Sequence, residues 1–195
     1  MAKLTRNRLI ALEAYAKTRN AFRAEVIAHK KDRNVALGDH VTLLFEDEMT
    51  IRYQVQEMLR AEKIFEEGGI QDELDAYNPL IPDGSNWKAT MLIEYEDIAE
   101  RRRMLAQLIG VEDRVWVQVD GCERVYAIAD EDLDRSTEQK TSAVHFLRFE
   151  LSKEMSRALK QGAEINMGVD HPAYQATLAP VSSAARVSLL RDLQG

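Results

Sequence analysis

Only one cysteine, Cys122, occurs in the 195 residues. A lone cysteine closes no internal disulfide. With no Cys-x-x-Cys, the sequence also offers no zinc ribbon, thioredoxin-type pair or iron–sulfur ligand run. Proline and glycine are sparse, at four and nine residues, which leaves no low-complexity segment and no linker. No apolar run approaches the roughly 20 residues of a membrane span. The start, Met1-Ala2-Lys3-Leu4-Thr5-Arg6, leads into an amphipathic pattern and not a signal-peptide core. The expectation is a soluble, cytoplasmic protein with no membrane partner.

Basic charge is in deficit as well. The formal net charge is −7, whereas nucleic-acid binding relies on a basic field, so no nucleic-acid partner is expected. The two local basic stretches, His29-Lys30-Lys31-Asp32-Arg33 and Arg101-Arg102-Arg103, read as solvated helix faces. Motifs that usually decide function are missing: Gly-x-Gly-x-x-Gly, a phosphate loop with Gly-Lys-Ser/Thr, Gly-x-Ser-x-Gly and His-Glu-x-x-His.

What is present is the composition of a globule, 45% hydrophobic and 30% charged. A chain of this length buries roughly 70% of its unfolded surface and needs neither disulfide nor metal merely to fold. The reading is one domain over 1–195, with 1–33 as a helical arm. Leu9, Leu12 and Ala16 recur at helical spacing after Thr5, and a second helix is predicted from Asn20 to Arg33. The period then becomes two. Val35 and Leu37 with Val41, Leu43 and Phe45 predict a hairpin around Gly38-Asp39. Asp47 caps a helix carrying Ile51, Val55, Met58, Leu59 and Phe65 and stopped by Gly68-Gly69. Ile70, Leu74 and Tyr77 make a short helix ended by Asn78-Pro79.

Ala89, Met91, Ile93 and Tyr95 alternate as a strand, and Ile98 to Ile109 is helical up to Gly110. Asp120-Gly121 between Val115-Val119 and Val125-Ala127 is the strongest hairpin signal, since a type I′ turn needs positive φ twice. Residues 143–151 are predicted to join that hairpin's sheet. A helix capped by Ser152 follows, then strands over 165–169 and 174–178 and a last helix over 181–193. The order favours α+β with a mainly antiparallel sheet and flanking helices.

Several stretches resemble a bacterial family catalogued as domain of unknown function 3501: VIAHKKDRNVALG (26–38), VTLLFEDEMTIRYQVQEMLRAEKIF (41–65), ELDAYNPLIPDG (73–84), EDRVWVQV (112–119), KTSAVHFLRFEL (140–151) and MGVDHPAY (167–174). The resemblance covers nearly the whole chain. It implies a link to iron or redox metabolism, through genes for rubrerythrin-like and iron–sulfur proteins lying near those of the family. It supplies no catalytic residue.

Among individual residues Glu62 stands out. On a helical wheel it falls near the middle of the face formed by Ile51, Val55, Met58, Leu59 and Phe65. A carboxylate there costs several kcal/mol unless it is paired, protonated or bound to metal. It either pairs with an arginine such as Arg148 or serves as a metal ligand or general base. Glu25 and His29 stand four apart beside Phe22 and Val26, able to meet each other or share one metal, and otherwise an exposed helix pair. Tyr53 and Glu57 have the same spacing. His145 shares a strand face with Leu147, Phe149 and Leu151, and His171 with Ile165, Met167 and Val169. If those strands pair antiparallel with Leu151 opposite Ile165, His145 lies opposite His171, within reach of a shared ligand. Arg148 and Glu150, on the other face, are expected to pair across strands.

Two classes of function stay open. One is a metal- or small-ligand-binding protein, catalytic or not, built on Glu62 with His29, His145 or His171, for which a divalent metal is the natural cofactor. The other is a non-catalytic interaction module that partners redox proteins or a second copy of itself. The first is favoured.

Overall fold

The period-two segments fall into two antiparallel sheets, where one was predicted. A computed structural model describes residues 3–194, so Met1, Ala2 and Gly195, the outer ends of the predicted domain and arm, lie outside the described residues. The first sheet begins with the predicted hairpin, β1 (Asn34–Leu37) and β2 (Val41–Phe45), turning at Gly38, whose φ of 72° suits glycine. β3 (Asn86–Ile93) lies beside β2, β7 (Val144–Glu150) beside β3, and the two-residue β6 (Ile128–Ala129) at the edge. The second sheet has the order β5-β4-β8-β9: Arg124–Tyr126, Val115–Val119, Ile165–His171 and Tyr174–Leu178. The fold is α+β.

Alternation sorts the side chains. Leu43, Met91 and Phe149 of the first sheet and Val117, Met167 and Val169 of the second belong to one buried cluster. The opposite face of the first sheet meets helices. Glu46 accepts hydrogen bonds there from Thr90 of β3 and from Thr50 and Gln54 of α2 (Glu48–Glu62). A second apolar cluster, with Ile51, Val55, Leu59 and Leu74, joins α2 to α3 (Glu67–Tyr77).

The Asp120-Gly121 hairpin forms as predicted, but residues 143–151 do not join its sheet. The chain changes sheets at Ala127, whose N–H still bonds the Val115 carbonyl at 2.8 Å, while Ile128 and Ala129 already pair with β7. A second change of sheet separates the histidines. His145 is opposite Met91, and His171 is opposite Tyr174, because α5 (Lys153–Lys160) connects β7 of one sheet to β8 of the other.

Helix boundaries differ too. The two N-terminal helices are one, α1 (Leu12–Lys31), and Thr5 precedes only a short 3-10 turn over Arg6–Arg8. The α2 cap is as read: Asp47 accepts from the Thr50 N–H, and Thr50 returns the bond. Its end is not. The helix stops at Glu62 because Lys63 takes the left-handed conformation, φ 56°. Gly68 and Gly69 lie inside α3; a Cβ on Gly69 would stand 2.7 Å from the Ile64 side chain, so close packing asks for glycine there, while Gly68 faces open space. α4 (Ile98–Gln107) and α6 (Ser183–Leu190) complete the set.

Arg33 is the plainest reversal. Read as part of a solvated basic face, it is buried, and its guanidinium donates to the carbonyls of Phe45 and Glu46 and to Asp192 at 2.5 Å.

Candidate metal centre

Three segments bring ligand-type groups together at one end of β7. Odd-numbered residues of that strand face the core, so His145 points inward and is wholly buried. Asp130 follows β6 directly, with φ 49°, and this left-handed residue turns its carboxylate back onto the strand. Glu112 lies in a 3-10 turn, Val111–Arg114, entered through Gly110 with φ 83°. Ligand atoms of Glu112, Asp130 and His145 all lie within 4.8 Å of one another.

The ring of His145 is held from both sides. Nδ1–H donates to Asp130 Oδ2 at 2.6 Å. Nε2 stands 3.0 Å from Thr141 Oγ1, 3.1 Å from the Ser142 carbonyl and 4.0 Å from Glu112 Oε2. The second oxygen of Asp130 accepts from the Phe146 N–H at 2.9 Å and faces Arg135 at 3.3 Å. Glu112 accepts from Ser136 at 2.5 Å and from Thr141 at 3.3 Å. Asp130 thus orients the imidazole while Nε2 faces the second carboxylate, the division of labour by which a carboxylate sets a metal-binding histidine. The site is electron-rich. Its cation, Arg135, is shared with Asp132. The carboxyl of neighbouring Asp113 is raised above the ordinary aspartate range, first by burial and then by the charges of Glu112 and Asp130.

The family described as "Protein of unknown function (DUF3501)" matches residues 3–193. The chain belongs to this family. A crystal structure at 1.90 Å of a protein from Burkholderia pseudomallei K96243, described as a novel protein of unknown function, is 58% identical and superposes with a TM-score of 0.94, covering 99% of this chain and 100% of that one. No curated protein matches. Among the described residues no helix is long and apolar enough to cross a membrane.

In this family member the other residues singled out by sequence are dispersed. Glu62 is exposed, against the helical-wheel expectation: it is the last residue of α2, which Lys63 ends by turning left-handed. Phe65, placed on the same face, is also exposed. Arg148 does not meet Glu62. It binds Glu131 at 2.7 Å and, along its own strand and not across strands as expected, Glu150. His171 does not reach His145: its Nε2–H donates to the Ile109 carbonyl at 3.2 Å, and Nδ1 accepts from the Ala173 N–H at 3.2 Å, so both nitrogens are used by backbone. Glu25 is exposed, and His29 turns instead to Asp47, at 2.5 Å. Glu57 accepts from Arg19 at 2.6 Å and from Tyr15 at 2.6 Å, and Tyr53 packs edge-on to Phe22. Burial raises the Cys122 thiol, which keeps it from acting as a ready thiolate.

Of the candidates, His145 alone joins the convergent group. Glu112, Asp130, Ser136 and Thr141 were missed. They sit in a 3-10 turn and a loop, where no periodicity marks a side chain as inward-facing. The one sequence signal is the acidic run Asp130-Glu131-Asp132, a loop ahead of the strand that bears a core-facing histidine.

Proposed function

We propose that this chain is a metal-binding protein whose centre is His145 with Glu112, Asp130 serving as a further ligand or as the orienting carboxylate. The convergence of two carboxylates and one imidazole within 4.8 Å, from three separate segments, carries the reading. The donor set fits the group. Imidazole and carboxylate suit zinc, iron or manganese, whereas the absence of thiolate disfavours soft ions. Iron accords with the redox setting implied by the resemblance. A bound ion would supply Lewis acidity or an ionised water. The chain would hold the ring through Asp130, keep Glu112 in place through Ser136 and Thr141, and exclude bulk water.

The second reading has its own support. The polar atoms of these three residues are hydrogen-bonded within the chain, so the same cluster serves as a structural latch that fastens residues 130–142 over β7. Elemental analysis of protein purified without a chelating column separates the two. The metal reading expects close to one first-row divalent ion per chain, lost in His145→Ala. Metal-free protein that gains no thermal stability from added zinc, manganese or ferrous ion would overturn it.

A further inference from the structure

A cleft of about 590 Å³ lies between the C-terminal half of α2, α3 and the outer face of the first sheet. It is separate from the metal centre, since its floor residues Phe146 and Arg148 point away from the face that carries His145. Its size is that of a small-molecule site. Met58, Tyr77, Leu80 and Phe146 give it an apolar lining.

Its charged groups are arranged in an unusual way. On the floor Lys88 and Arg148 are direct cross-strand partners. Like charges so placed repel. Arg148 is compensated by Glu131 and Glu150. Lys88 makes no direct ion pair among the described residues: it donates to the Pro79 carbonyl, and the charges of Asp83, Glu131 and Glu150 act on it only at longer range. Its amine is held below the ordinary lysine range, first by burial and then by Arg148. The helical wall shows the opposite deficit. Glu62 and Glu73 both line the cleft, neither with an ion-pair partner among the described residues, and Glu73 is raised by burial and by the charge of Glu62. Glu131 and Asp132 also line the cleft but are engaged by Arg148 and Arg135, so it presents a lysine without a direct counter-ion at its floor and carboxylates without one at its helical wall, with apolar surface between.

We propose that this cleft binds a small zwitterion whose carboxylate meets Lys88, whose ammonium meets Glu62 and Glu73, and whose apolar middle packs on Met58, Tyr77 and Phe146. A short apolar peptide and an ω-amino acid share this chemistry. A ligand of this kind relieves both deficits at once, which a simple anion or a simple amine does not.

Isothermal titration calorimetry of chelator-treated protein with trileucine and with ω-aminooctanoate tests the proposal independently of any metal. At least one should bind saturably, and which one identifies the source. N-acetylation or amidation of that ligand should each weaken binding about tenfold or more, the scale of one charge-assisted contact. Lys88→Gln and Glu73→Gln should do the same, with Lys88→Arg retaining binding. Absence of saturable binding by both compounds overturns the proposal. So does a capped ligand binding wild-type protein as tightly as its parent, a result that does not depend on any variant folding.

Discussion

Single side chains show how much a local environment changes ordinary chemistry. Glu57 is lowered from 4.5 to about 2, chiefly by the hydrogen-bonded guanidinium of Arg19 and also by Tyr15. A carboxyl whose folded value is depressed stabilises the fold above its unfolded value, and that contribution is lost as pH falls from about 4.5 through about 2. The pair is partly exposed, so Glu57→Gln should cost only about 1 kcal/mol at neutral pH. The cost should vanish near pH 2, as read by urea titration of both proteins across that range. Gly168 makes a steric case. A Cβ there would meet the Ala176 carbonyl and the Trp116 ring, both at 2.5 Å. Gly168→Ala should therefore destabilise by about 1–3 kcal/mol, seen as a lower melting temperature. Residues of this kind are legible only in part. His145 announced itself by its place among Leu147 and Phe149, whereas Glu112 and Asp130 sit where the backbone follows no period. Glu62 misled because a wheel assumes that the helix stays packed to its end.

At the scale of elements, most local signals appear where read, the Thr5 cap and the Gly68-Gly69 stop excepted, and distant ones do not. The turns at Gly38 and Gly121, the Asp47 cap and the Asn78-Pro79 stop each depend on residues within a few positions of the event, and each appears where read. Which strands share a sheet depends on partners far along the chain, and nothing near Ala127 marks the crossing between β5 and β6. Arg33 belongs to this scale as well, because it joins α1, β2 and α6 through Phe45, Ser188 and Asp192. Asp192 itself is pushed up to about 6, burial outweighing the opposite pull of Arg33. Removing one member of a buried pair leaves the other uncompensated, so Arg33→Met should cost about 3–5 kcal/mol. Loss of hydrogen-exchange protection concentrated in α6 and the end of β2 is the expected signature.

Across the whole molecule, the buried cluster shared by both sheets gives neither sheet a complete core of its own. One cooperative thermal transition is the expected outcome, with circular dichroism and tryptophan fluorescence reporting the same midpoint. Two separated transitions would mean that the sheets unfold independently, against the one-domain reading.

The contact between Arg33 and Asp192 spans 159 positions. Trp87 donates to the Leu189 carbonyl across 102 positions, and the Gln194 N–H bonds the Gly84 carbonyl. During synthesis on a ribosome the first sheet leaves the exit tunnel with Arg33 facing Asp47 alone, its nearer counter-charge, Asp192, not yet made. Closure of that corner must wait until α6 emerges. A nascent chain stalled before Ser183 should stay open to protease around β2, and release of the remaining residues should close it.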